Sequence, residues 1–272
     1  MNHPFTSSLL LQARSATQRG FTLVELMVSI TIGMLIVAAL LALFVNVSRT
    51  NNEMAKANRQ IENGRFAIQL LQNDLAHAGF WGNARPPVPT AVPDDPCLAP
   101  GSWDAAYRGN LLAFPVLGYD HATVPGSCTT VSGAQTNSDV VVVRHANTCT
   151  AGSTGCDGGS DTGPHIQVSG CTNASLPEPA YVIDASTFPL RERDCSTIAA
   201  RRKVVSNIYF VAGNTLMRSS LVNGAYQAAQ PLIEGIEAMR IEYGVDNDGD
   251  GSPEPYTAPA CCTAISSPPT SC

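Results

Sequence analysis

The pattern of hydrophobic and polar positions changes character three times along the chain. From Leu26 to Val45 twenty residues pass without a charge, interrupted only by Ser29, Thr31 and Gly33. At 1.5 Å per residue, a helix of that length spans about 30 Å, the hydrocarbon thickness of one bilayer. From Ser48 to Gln60 the residues are mostly polar on every side. Ile61, Gly64, Ile68, Leu71, Leu75 and Ala78 then recur at alternating three- and four-residue spacing, the apolar stripe of a helix that docks on a core. No Pro interrupts Phe21–Ala78, so a single helix is expected through both halves, with Gly79 as its C-terminal cap. Gly64 costs about 1 kcal/mol relative to Ala in a helix interior, and close packing against the head is its expected reason.

Beyond a Pro-rich, extended connector at 85–100, period two takes over. Short strands are expected at Leu111–Val116, Asp139–Arg144, Ile166–Ser169 and Tyr181–Asp184, separated by loops rich in Gly, Ser, Thr and Cys. Lys203–Ala212 and Thr215–Ser220 flank Gly213-Asn214, a hairpin composition. Leu221–Gln227 and Ala238–Val245 continue the strand pattern, joined by Gln230–Glu237. The fold class is therefore α+β, one long N-terminal helix packed on an antiparallel sheet with disulfide-rich loops.

Charge alters this picture in four respects. Glu25 stands at the mouth of the apolar run, where a carboxylate costs up to about 3 kcal/mol at mid-membrane and less near the interface. The helix offers it no cation nearby, and another chain could supply one. Residues 1–20 carry Arg14 and Arg19 and no acid, which puts the N-terminus in the cytoplasm and the rest of the chain beyond the membrane. The net charge of −6 disfavours a general nucleic-acid partner. Arg201-Arg202-Lys203 is the one dense basic run, expected as a solvated loop ahead of a strand, with a polyanion contact as the lesser reading.

All nine cysteines lie past the apolar run, and no C-x-x-C occurs, which points to disulfides in an oxidising compartment. Cys149 and Cys156 flank a Gly-rich loop and are the favoured pair; Cys261 and Cys262 are expected to pair outward. Asp246, Asp248 and Asp250, with Gly251 at the turn, form the D-x-D-x-D-G half of a calcium loop. Ser252 and Glu254 extend the candidate ligand set, and Thr257 stands where an EF-hand would place its bidentate Glu. Calcium is the one cofactor suggested. No nucleophile elbow, P-loop, dinucleotide fingerprint or H-E-x-x-H occurs, so an enzyme is not expected.

The basic leader, the Gly20-Phe21 junction, Glu25 and the apolar helix together resemble the class III signal of type IV prepilins and type II secretion pseudopilins. A secretory signal peptide would instead end at an A-x-A-like site. The resemblance implies cleavage by a prepilin peptidase between Gly20 and Phe21 and N-methylation of Phe21. It also implies pairing of Glu25 with the N-terminal amine of a neighbouring subunit. Glu62-Asn63-Gly64-Arg65, Asp74-Leu75 and Ala78-Gly79-Phe80 look like the helix end of PilW-type minor pilins, and pseudopilin J shares a looser version. The organisation implied is a leader at 1–20, a membrane half-helix at 21–47, an amphipathic half at 48–80 and a periplasmic head at 81–272. Such proteins enter a priming or tip complex with other minor pilins, the major pilin, the inner-membrane assembly platform and a tip adhesin. A type II secretion minor pseudopilin, or an adhesin or DNA-uptake head, are the alternatives. Resembling proteins usually carry a further strand after Tyr256, so the final strand is expected to be missing here.

Overall fold

The computed structural model describes residues 20–93, 95–124, 128–156, 162–244 and 252. The chain divides into two compact units, the first ending at Ala57 and the second beginning at Asn58. Helix α1 (Leu23–Leu75) contributes to both.

In the first unit Thr22 caps the helix. Its Oγ1 accepts from Glu25 N at 3.3 Å and donates to Glu25 Oε2 at 3.4 Å, a variant of the capping box. The apolar side chains that follow are exposed, and their most apolar stretch reaches a mean hydropathy of 2.8. Ser29 donates to Glu25 O at 2.7 Å and Thr31 to Val28 O at 2.8 Å. The polar groups inside the apolar run are thus satisfied by the helix itself, as a membrane interior demands.

The second unit sets the tail of α1, a short helix α2 (Ala105–Ala113) and eight strands around one antiparallel sheet. The strands are β1 (Val116–Tyr119), β2 (Val140–Ala146), β3 (His165–Val168), β4 (Tyr181–Asp184), β5 (Arg201–Ala212), β6 (Thr215–Val222), β7 (Ala225–Tyr226) and β8 (Gln230–Glu234). β5 is the spine. β2 runs along one edge, from Val141↔Tyr209 to Ala146↔Val204. The other edge is shared by β6, on Asn207–Ala212, and β3, on Arg201–Lys203.

The β-branched run Val140–Val143 is buried throughout because both faces of the sheet are covered. Val141, Val143, Tyr209 and Leu216 pack with Ala67 of α1 and Ile233 of β8. Val140, Val142, Ile208 and Phe210 pack with Phe114, Leu117 and Val131 on the other side. Disulfides Cys97–Cys128, Cys149–Cys156 and Cys171–Cys195 close loops of 31, 7 and 24 residues with Cα separations of 5.1, 5.8 and 4.9 Å. Each such crosslink contributes about 2–4 kcal/mol, chiefly by restricting the unfolded chain. Cys261, Cys262 and Cys272 lie outside the described residues.

Four sequence expectations are corrected. Leu111–Val116 is not a strand: Asp104 Oδ1 accepts from Tyr107 N at 2.7 Å and starts α2, which carries Leu111 to Ala113 before Pro115 and β1. Leu221–Gln227 is broken at Asn223-Gly224, where φ of 49° and 77° turns the chain into β7. Among the described residues the sheet takes its last strand from Gln230–Glu234, the supposed connector, whereas 238–244 forms no ladder. There, Met239 N and Ile241 N are drawn to the side chains of Ser138 and Asp139 instead. The basic run, finally, is no solvated loop but the opening of β5. Arg201 lies 4.9 Å above the Phe188 ring, and Arg202 donates to Asn147 O and Thr148 O.

Candidate functional site

Gly20 and Phe21 precede the first helical turn and are exposed, Phe21 at 81%. The capping of α1 at Thr22 holds the helix start just beyond this non-helical pair.

The Glu62–Phe80 stretch proves to be the seam between α1 and the head. Asn63 Nδ2 donates to Glu234 O of β8 at 3.0 Å. Eleven residues on, Asp74 meets the far side of the sheet: His145 Nε2 of β2 lies 3.1 Å from Oδ1, and Asn207 Nδ2 and Tyr209 OH of β5 each donate to Oδ2 at 2.9 Å. Eleven helical residues advance about 16 Å, and the three spacings from β8 through β6 and β5 to β2 cover about 14 Å. The tail therefore crosses the sheet from edge to centre, and the two polar residues clamp its ends.

The register of this seam departs from the expected stripe. Ala67 is buried, with Leu70, Leu71 and Ala78 packed beside it, whereas Ile61 and Ile68 are 64% and 65% exposed. The helix is turned by roughly a quarter, since steps of about 100° per residue place Ala67 and Asp74 on the same line. Gly64 also departs from expectation: a Cβ there would meet nothing within 4 Å, so the head does not require its smallness.

Burial pushes the Asp74 carboxyl upward, but the bonds from His145, Asn207 and Tyr209 outweigh it and hold the group below its ordinary value. His145 responds in kind. Burial lowers it, while the Asp74 contact and the Ala146 carbonyl raise it further, leaving it above its ordinary value. Burial, then the charge of Asp74, pushes the Tyr209 phenol up. After Asp74 the chain turns at Gly79, with φ of 76° and its N–H on Arg144 O at 3.1 Å. A side chain at Gly79 would crowd Pro115 Cγ at 3.3 Å. Ala146 N donates to Phe80 O at 2.6 Å, and the buried Trp81 gives its Nε1–H to Leu112 O at 3.1 Å.

An open cleft of about 520 Å³ adjoins this exit, between Phe80, Ile166, Val168, Glu192, Arg193 and Arg202. Arg202, 5.6 Å from the Phe80 ring, already holds the carbonyls of Asn147 and Thr148, just ahead of the Cys149–Cys156 loop. Asp95, Cys97 and Cys128 bring possible metal-ligand atoms within 4.8 Å of one another, but the two sulfurs are bonded together and offer no thiolate.

Of the candidate calcium ligands, Asp246, Asp248, Asp250 and Glu254 lie outside the described residues, and Ser252 is exposed. The segment leading to them is firmly anchored. Asp139, 2% exposed at its side chain, accepts from Ile241 N and Arg240 Nη1 at 2.9 Å each. Arg240 also reaches Asp120 at 3.0 Å and His121 Nε2 at 3.0 Å.

An exposed pair of residues before a capped helix whose Leu26–Val45 stretch is charge-free, with the same helix's tail clamped on an antiparallel sheet, fits the type IV pilin class. The chain matches the family model of the prokaryotic N-terminal methylation motif over residues 15–41. Over residues 205–267 it matches the family Type IV Pilus-assembly protein W. Both matches are partial, and together they support a PilW-like type IV pilin, a minor pilin or assembly component of a type IV pilus, a context that suggests pilin partners and membrane association. The second match includes Asn207 and Tyr209, the β5 residues that receive Asp74. Both matched families are structural. No curated protein and no solved structure gives a significant match.

Sequence reasoning found the apolar span and the docking helix. It missed the three-way role of Asp74 and the clamp at Asp139, whose partners lie far along the chain. An acid beside the apolar stripe of the helix was the available signal at Asp74.

Proposed function

We propose that the chain is a non-enzymatic priming or tip subunit of a type IV pilus, acting with other minor pilins. Residues 21–47 hold it single-pass in the inner membrane with the head in the periplasm until the assembly platform draws it into the filament. Prepilin peptidase cuts after Gly20 and methylates Phe21. Glu25 then pairs with the amine of a neighbouring subunit, and the head meets the major pilin and a tip adhesin. The observation that carries the reading is the Gly20–Phe21 junction, exposed in non-helical backbone directly before a helix with Glu25 in its first turn and an apolar span behind it. Co-expression with a prepilin peptidase and intact-mass analysis should give a chain starting at N-methyl-Phe21, and Gly20→Leu should keep its leader. Cleavage at another bond would overturn the reading.

Calcium is proposed for Asp246, Asp248, Asp250, Ser252 and Glu254, because three carboxylates at alternate positions repel one another until a cation joins them. Binding to the folded state alone would stabilise the protein by about 2.7 kcal/mol at a hundredfold excess over the dissociation constant. The full chain should melt higher in millimolar calcium than in chelator, and Asp248→Ala should abolish the difference. Equal melting temperatures for the native sequence would leave only an acidic turn.

A further inference from the structure

His145 faces two groups that can only accept. Its Nδ1 lies 2.9 Å from Ala146 O, and its Nε2 lies 3.1 Å from the Asp74 carboxylate. Both contacts are hydrogen bonds only when both ring nitrogens donate, which is the imidazolium form. The contact is sheltered, with 11% of the His145 side chain and 13% of Asp74 exposed. A neutral ring would set a lone pair against one of the two oxygens in a place where water is scarce.

We propose that the Asp74–His145 contact is a pH-sensitive latch that fastens the tail of α1 to the sheet as a cation–carboxylate pair and loosens when His145 loses its proton. The latch rests on the fold of the head and is independent of whether the subunit primes a pilus.

The surrounding groups do not supply a substitute. From β5, Asn207 and Tyr209 donate to the other Asp74 oxygen. From β6, Arg218 engages Tyr209. From α1, the ring of His77 stands 5.7 Å from that of His145, with its Nδ1 on Asn73 O at 2.7 Å. Arg144, the preceding residue of β2, points to the opposite face and reaches Phe114 O at 3.4 Å.

The direction follows from linkage. His145 is raised above 6.5 by Asp74 and the Ala146 carbonyl against the opposing effect of burial. Its stabilising contribution is therefore complete below pH 6.5 and is lost as pH rises through the folded value. Asp74 is lowered from 3.8, so its contribution is present above that pH and fails only in stronger acid. The latch is closed between those limits and opens on the alkaline side.

The test is hydrogen exchange of the full chain in detergent micelles from about pH 5.5 to about pH 8.5, corrected for the intrinsic exchange rate. Protection of residues 63–78 should fall with rising pH, about tenfold for each unit by which the His145 value is raised. The β5–β6 hairpin serves as an internal reference and should hold steady. His145→Gln keeps one amide donor for Asp74 and should remove the pH dependence. Flat protection in the native sequence, an equal fall in the hairpin, or an unchanged profile in His145→Gln would overturn the latch. Nitrogen-15 histidine NMR of the native chain provides a check that needs no variant. Two protonated ring nitrogens on His145 at about pH 6 are expected, and a neutral tautomer there would overturn the proposal.

Discussion

Asp74 shows how much one side chain can decide without advertising it. Its acceptors serve residues 71, 133 and 135 positions away, so no local pattern could name those partners. Gly118 is a second case. It sits in β1 as an unremarked small residue, yet a Cβ there would overlap the phenol ring of Tyr243. Tyr243 thus lies directly on the β1 backbone and completes the anchoring that begins at Met239 and Ile241. Gly118→Ala should cost about 1–3 kcal/mol, the usual penalty for overpacking a well-filled site. The cost should shrink when Tyr243 is already Ala, a non-additivity that a double-mutant cycle of urea unfolding measures directly. Additive losses would mean that the ring leaves β1 without resistance.

Among the elements, those governed by local chemistry were legible and those governed by distant contacts were not. The β5–β6 hairpin was visible because Gly213 and Asn214, with φ of 56° and 58°, supply the two positive angles a tight turn needs. β4 was visible from its alternation and its flanking loops. α2 was not, since Leu111 and Leu112 suit either a strand or a buried helix, and its cap at Asp104 decides the matter. The rotation of α1 is the clearest contrast. Periodicity announced an amphipathic helix, but large apolar residues occupy two of its sides, and the head chose the side carrying small Ala67 and polar Asn63 and Asp74. Ala67→Leu should therefore destabilise the head by about 1–3 kcal/mol. Ile68→Ser, on an exposed position, should change stability by no more than about 0.5 kcal/mol. Thermal unfolding of the two variants separates the faces; a larger loss for Ile68→Ser would restore the stripe read from periodicity.

For the whole molecule, the assembly proposed above turns on Glu25, because the single chain satisfies one of its roles and leaves the proposed one to a neighbour. Within the chain it closes the cap of α1 through Thr22. Caps of this kind contribute about 1 kcal/mol, and the contact neither neutralises the carboxylate nor reduces its cost in an apolar surrounding. In the assembly proposed here the N-terminal amine of a neighbour is the cation that reaches this charge. Substitution separates the two roles. Thr22→Ala removes the cap and keeps the charge, whereas Glu25→Gln keeps a side chain of the same shape and removes the charge. Membrane insertion should survive both changes, since neither adds polarity to the span. Entry into sheared pili should fall for Glu25→Gln and stay near the native level for Thr22→Ala, as read by immunoblot of the pilus fraction against the membrane fraction. If Thr22→Ala lowers entry as much as Glu25→Gln, the carboxylate acts through the helix start and not through a neighbouring subunit.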